Sequence, residues 1–221
     1  MNNRTISHFF RSLFLGIAAL MICHTTQAQH PQRICDATFE NANWTAKKIV
    51  DTPQGALLTF PTSQVPTGGN PTFYRRTEHN YGTGKIGVAH VYNSFAYDPS
   101  SQGAIATVGY SYDLRHFNPP AGQAVAYQML IFQNDTYYGS QVDQIFNDAW
   151  QAFSRPNLTA ASFTKITGIG LPNPDFSCTG SKMTFGYITA NSNPNPGTQS
   201  KRISGIDNWC LTIAKAPQHR H

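Results

Sequence analysis

The chain consists of short segments in which apolar and polar residues alternate, separated by residues that favour turns. The clearest segment is 104–114, where every second residue is apolar: Ala104, Ala106, Val108, Tyr110, Tyr112 and Leu114. Successive side chains of a strand point to opposite faces, so this period places one set in a core and the other towards solvent. The pattern predicts a half-buried β-strand.

Similar runs, rich in β-branched and aromatic residues, recur along the chain between Gly, Pro and Asn residues. They span 37–46, 55–61, 71–79, 85–98, 124–134, 161–170, 182–192 and 205–213. Many short strands without alternating helical segments are typical of sandwiches and jelly rolls. We therefore predict an all-β fold, a two-sheet antiparallel jelly-roll sandwich.

Residues 140–156 follow a different period. Their apolar residues recur at helical spacing: Val142, Ile145, Phe146, Ala149, Trp150 and Phe153. Ser140 gives a helix start signal and Pro156 a stop signal. We predict one short helix near 141–154 with its apolar stripe, including Trp150, facing inward. The alternative is a Trp150 that is exposed for contact with a sugar.

Residues 1–28 have the features of a secretory signal peptide. Arg4 and Arg11 make the start basic, and the apolar run 13–22 follows. That run is too short to span a bilayer. We expect cleavage after residue 28, a secreted or periplasmic product, and a single β-sandwich domain over 29–221.

Charge does not indicate a nucleic-acid partner. The formal net charge is +5, but the basic residues form separated pairs rather than a run: Lys47-Lys48, Arg75-Arg76 and Lys201-Arg202. A solvated surface accounts for such pairs. We also predict no membrane span after the leader, since no second apolar stretch is long enough.

Three cysteines follow the predicted cleavage site, and an oxidising compartment permits one disulfide among them. Cys35–Cys210 is the expected pair if the first and last strands are neighbours, and Cys178–Cys210 is the alternative. No two of the three have metal-ligand spacing, so we predict no metal ligands and no cofactor. A structural calcium ion stays open as a hypothesis, without ligands that can be named.

Catalytic chemistry has one candidate cluster, within residues 73–82. In an extended strand Tyr74 and Arg76 share one face, while Arg75 and His79 share the other. A polysaccharide lyase would use such a cation and base on a uronate sugar. The favoured interpretation is a solvated strand with cross-strand ion pairs.

Aromatic residues are candidate ligand contacts, because flat apolar rings stack on sugars. Tyr137 and Tyr138 adjoin a turn, so at least one of them should be exposed, and Tyr92 and Tyr97 flank a polar stretch. With Arg76 and His79, these tyrosines are the predicted ligand contacts.

Two C-terminal segments carry a family resemblance. PDFSCTGSKMTFGYITANS at 174–192 and GIDNWCLTIAK at 205–215, with FENANW at 39–44, resemble secreted concanavalin A-like (laminin G-like) jelly-roll domains. Such domains occur in exported bacterial proteins, and some bind carbohydrate. The resemblance implies a terminal GIDNW strand and brings no catalytic residue.

Within GIDNWCLTI, strict alternation would place Asp207, Trp209, Leu211 and Ile213 on one face, with Asp207 and Asn208 satisfying loop amides.

The conclusion from the sequence is a secreted, non-catalytic β-sandwich that binds a polysaccharide or surface glycan. Two alternatives stay open: a lyase-like enzyme using 74–81, and an exported structural or adhesive protein with a protein partner. The ligand and the oligomeric state are not determined.

Overall fold

The structure is a computed structural model that describes residues 30–217, so the predicted signal peptide lies outside the described residues. The described part contains fourteen strands, one α-helical turn, α1 (Pro99–Gln102), and two 3-10 turns, Asn41–Asn43 and Ala160–Ser162. The strands are β1 (Gln32–Asp36), β2 (Trp44–Thr52), β3 (Leu57–Thr59), β4 (Thr62–Val65), β5 (Tyr74–Tyr81), β6 (Gly84–Tyr97), β7 (Ile105–Phe117), β8 (Val125–Gln133), β9 (Thr136–Gly139), β10 (Asp143–Ile145), β11 (Gln151–Leu158), β12 (Thr164–Thr167), β13 (Met183–Asn193) and β14 (Ser200–Lys215). Among residues 30–217, no helix is long and apolar enough to cross a membrane.

The strands form two antiparallel sheets that pack face to face. Sheet A has the order β11-β7-β14-β5-β3, with β1 beside β14 and β4 beside β5. Sheet B has the order β12-β9-β8-β13-β6-β2, with β10 beside β8. The predicted two-sheet antiparallel sandwich is confirmed.

The last strand of the described chain lies beside the first. β1 pairs antiparallel with β14, and Cys35 lies directly opposite Cys210. The two cysteines form a disulfide, so the expected pair is confirmed. Cys178 is exposed and unpaired.

Aromatic side chains fill the space between the sheets. Trp209 is fully buried, and its ring contacts Trp44 at 5.3 Å and Tyr92 at 5.4 Å between centroids. Val108, Tyr110, Tyr112 and Leu114 are also buried, which confirms the inward face predicted for this part of β7. Aromatic pairs at these distances contribute to stability beyond the apolar area that they bury.

The predicted helix near 141–154 is wrong. These residues form β10, which pairs with β8, and β11, which pairs with β7. Val142 and Phe146 are 43% and 51% exposed, whereas a helical stripe would have buried them. Pairing with strands distant in sequence therefore overrides the local helical spacing.

The strict alternation predicted for GIDNWCLTI is also wrong, because β14 contains a bulge. Asp207 pairs with Asp113 and Cys210 with Ser111, which leaves one extra residue on β14. Asn208 adopts φ +50°, a conformation that Asn tolerates better than most residues. Ile206, rather than Asp207, joins Trp209 in the core, and Asp207 turns to the outer face of sheet A.

We expect Gly186→Ala to unfold the protein or destabilise it by roughly 3 kcal/mol or more, because its Cβ would collide with the backbone carbonyl of His90 on the neighbouring strand. Chemical denaturation measures the loss. Gly82→Ala is the matched control, since its Cβ would meet nothing within 4 Å. Equal stability of the two variants would contradict the close approach of β13 and β6.

Candidate functional site

Three of the predicted ligand-contact tyrosines lie in the core. Tyr92, Tyr97 and Tyr138 are 9%, 0% and 2% exposed, and the Tyr97 hydroxyl donates to the carbonyl of Gly103 at 2.8 Å. Tyr137 is 8% exposed, so the expected exposure of one residue of this pair is wrong. The physical reason is that β9 pairs with a strand on each side, which places both rings against neighbouring side chains.

Tyr137 lies on the face of sheet B that points away from sheet A. Sheet B curls so strongly that its edge strands β12 and β2 approach each other, and the Lys47 ammonium lies 5.6 Å from the Tyr137 ring centre. Ala89, Leu130 and Ile188 are at most 2% exposed beneath them. This concave face is therefore filled by its own side chains.

Strand β5 divides the predicted 74–81 cluster between two faces, as its alternation predicted. Arg76 faces outward and contacts Glu78 at 2.7 Å, and Lys201 of β14 contacts the same carboxylate at 2.8 Å. The cross-strand ion pair is confirmed, and the hydrogen bond from Lys201 is the main cause that lowers the pKa of Glu78 to about 2. His79 faces inward, away from Arg76.

His79 belongs to a buried hydrogen-bond chain between the sheets. Its Nδ1 lies 2.8 Å from Asn191 Oδ1, and its Nε2 lies 3.1 Å from Thr189 Oγ1. Thr189 Oγ1 also lies 3.1 Å from His90 Nε2. The Asn191 amide nitrogen donates to a backbone carbonyl, so its Oδ1 must accept from His79.

The orientation of the Asn191 amide fixes the donor and the acceptor of each hydrogen bond among these four side chains. A neutral His79 that donates from Nδ1 accepts at Nε2, so the Thr189 hydroxyl donates to it and accepts from His90. This assignment applies to neutral rings, which burial favours. Burial lowers the pKa of His79 to about 4, and burial together with the nearby Arg75 charge lowers the pKa of His90.

We expect acid to destabilise the fold between about pH 6.5 and pH 4, because unfolded histidines bind protons that the buried rings exclude. From the pKa of His79 alone, the free energy of unfolding should fall by roughly 2 kcal/mol between pH 7 and pH 4.5. Denaturation at the two pH values measures it. His79→Gln should reduce this dependence by about that amount and leave the contribution of His90, whereas the exposed control His30→Gln should keep the full dependence. A flat wild-type profile would contradict neutral buried rings.

The outer face of sheet A carries the half-buried Trp150, which was predicted to face inward on a helix. Its ring lies over Gly205, between Tyr74 at 5.4 Å and Phe117 at 6.3 Å, and its Nε1 donates to the Gly68 carbonyl at 3.0 Å. Sequence reasoning missed this aromatic patch, defined as Tyr74, Phe117 and Trp150, because its members come from three separate segments.

Next to the aromatic patch, Asp207 holds the loop that precedes β5. Its carboxylate accepts from the backbone N–H groups of Asn70 and Asn208. The Asn208 amide then donates to Asp113 at 2.7 Å and to the Asn70 carbonyl at 2.6 Å. Satisfaction of loop amides is confirmed for Asp207, whereas the Asn208 side chain acts as a donor. Burial raises the pKa of Asp207.

The bulge leaves an open cavity of about 490 Å³ on the same face. This bulge pocket is lined by Arg33, Asp113, Ser111, Ser154 and the Cys35–Cys210 disulfide, with Ala152 and Phe153 as apolar lining. Sequence reasoning missed it, because it exists only where β1, β7, β11 and β14 meet. The feature of the sequence that could have indicated the bulge is Asn208, because Asn tolerates a positive φ.

The described residues contain no group of three or more His, Cys, Asp and Glu side chains arranged to hold a metal ion. The lining of the bulge pocket includes the Arg33 guanidinium, the Asp113 carboxylate and two serine hydroxyls, which can form hydrogen bonds with a polar ligand.

No family model and no curated protein matches the chain. Solved structures give similarities to carbohydrate-binding modules. The family 11 module of the cellulosomal cellulase Lic26A-Cel5E of Clostridium thermocellum is 17% identical, with 86% of this chain and 98% of that chain covered and a TM-score of 0.46. The C-terminal family 22 module of Clostridium thermocellum Xyn10B is 9% identical, with 84% and 96% covered and a TM-score of 0.46. At this level of similarity, a function has to be argued from the residues of this chain.

We expect Asp207→Ala to lower the free energy of unfolding by about 2–4 kcal/mol, because two backbone N–H groups lose their charged acceptor. Chemical denaturation measures the change. Asp148→Ala is the control: it removes a more exposed carboxylate that pairs with Arg115, and should cost less than about 1 kcal/mol. Similar losses in both variants would contradict a structural role for Asp207.

Proposed function

We propose that the protein binds a glycan without catalysis, with the bulge pocket as the binding site. One observation carries the proposal: this pocket brings hydrogen-bonding side chains from three strands to an open surface, while the predicted tyrosine contacts are buried. A pocket with an apolar lining and a few polar groups is the usual form of a small-ligand site.

The chemistry of the bulge pocket suits sugar hydroxyls, which both donate and accept hydrogen bonds. Arg33 supplies donors, the Asp113 carboxylate accepts, and Ser111 and Ser154 can do either. The amides of Asn70 and Asn208 hold the Asp113 carboxylate in place. A fixed acceptor lowers the entropic cost of binding.

The contacts of the candidate reactive groups support a non-catalytic role. A lyase would need a cation and a base exposed in one groove, but Arg75 and His79, which share the inner face of β5, are only 3% and 1% exposed. On the outer face, Tyr74 is 7% exposed and lies beneath Trp150. Glu78 is held in ion pairs and Asp207 by backbone amides, so neither is presented to a ligand. Binding is therefore the function that the site supports.

The remaining expectations form part of the same proposal. We propose an exported protein, secreted or periplasmic, whose single domain over 29–221 follows a signal peptide over 1–28. The disulfide supports an oxidising compartment. We propose that binding needs no cofactor, and the likeness to concanavalin A-like domains stays a proposal.

We expect Ser154→Trp to weaken binding at least tenfold, because an exposed wall residue of the bulge pocket would then fill it. Affinity gel electrophoresis against a panel of neutral and uronic-acid polysaccharides identifies a ligand, and calorimetry then gives the dissociation constant. Ser192→Trp is the matched control, an exposed serine on sheet B.

Two outcomes would contradict the proposal in different ways. Equal binding by Ser154→Trp and wild type would place the ligand outside the bulge pocket. Failure of the wild-type protein to bind any glycan of the panel would contradict glycan binding itself and favour a protein partner.

A further inference from the structure

The disulfide of the bulge pocket has two unequal sulfur environments. Cys35 lies on β1 and is exposed, whereas Cys210 lies on β14 and is 8% exposed. Both residues line the open cavity of about 490 Å³. A small molecule can therefore approach the Cys35 side of the bond from solvent, while Cys210 is shielded by its neighbours.

A positive charge lies beside the shielded sulfur. The guanidinium of Arg33, two residues before Cys35 on β1, donates from Nη2 towards Cys210 Sγ at 3.5 Å. Its side chain is exposed and has no carboxylate partner within 4 Å among residues 30–217. A cation next to a sulfur stabilises a thiolate there, and a stabilised thiolate leaves more readily.

We propose that Cys35–Cys210 is a thiol-reactive site, attacked at Cys35 with Cys210 as the leaving group. The thiolate of a low-molecular-weight thiol forms a bond to Cys35 Sγ as the Cys35–Cys210 bond breaks. The electron pair of that bond goes to Cys210 Sγ, beside Arg33. A second thiol then reduces the mixed disulfide, which leaves two cysteine thiols and one oxidised thiol dimer.

The surrounding structure holds β1 in place after the bond opens. Asp36, next to Cys35, accepts hydrogen bonds from Trp44 Nε1 at 2.7 Å and from the backbone N–H of Phe39 at 2.7 Å. The backbone of β1 remains paired with β14 over five residues. Cys210 therefore stays near Cys35 and can expel the bound thiol, so the modification is reversible.

The experiment uses reduced glutathione on the folded full chain, with Cys23 and Cys178 replaced by serine so that two cysteines remain. Alkylation with N-ethylmaleimide stops the reaction, and peptide mass spectrometry locates the products. We expect glutathione on Cys35 and the alkyl group on Cys210, with the reverse pattern at least tenfold rarer. Glutathione mainly on Cys210, or no reaction without denaturant, would overturn the proposal.

The role of Arg33 is tested by the rate of the same reaction. Arg33→Gln should react roughly three- to fivefold more slowly, and Arg33→Lys should restore most of the rate, because the charge assists the leaving thiolate. A merely structural role for Arg33 predicts a faster reaction in Arg33→Gln, since a loosened β1 would expose the disulfide to the thiol. An unchanged or increased rate in Arg33→Gln would overturn the assignment.

Discussion

Strand β14 pairs with three neighbours in sheet A, and the position of nearly every feature on that sheet depends on this pairing. It binds β7 along most of its length, β5 along its first half and β1 along its second half. The bulge at Asn208 lets the same strand send Ile206 and Trp209 into the core and Asp207 outward. The carboxylate-amide cluster, the disulfide and the bulge pocket all follow from that single extra residue.

The two faces of β5 show how the sandwich separates charge. The outward residues Arg76 and Glu78 form an ion pair, and Lys201 supplies a second cation to the same carboxylate. The inward residues include His79, whose buried ring is kept neutral because charging it would require desolvation without a compensating carboxylate. A sequence segment that resembles a catalytic cluster is thereby divided into a solvated half and a structural half.

Some of this could be predicted from the sequence and some could not. The alternation in β7 and β5 correctly assigned the faces of Val108–Leu114 and of 74–81, because in-out alternation is a local property of a strand. The helix near 141–154 failed because its spacing suited a helix, while β8 and β7 offered backbone pairing that the local pattern does not encode. The exposure of Tyr137 failed for a related reason, since strands flank β9 on both sides.

The sequence by itself determined the all-β class and the inward faces of its regular strands, but it left Cys210 two possible partners, and only the structure decided for Cys35. The class and the inward faces depend on residue type and on a period of two, whereas the disulfide depends on β1 and β14 being neighbours. Only the tertiary structure decided where the polar groups converge. Arg33, Ser111, Ser154 and Asp113 lie far apart in the chain, and a bulge between paired strands is what brings them around one pocket.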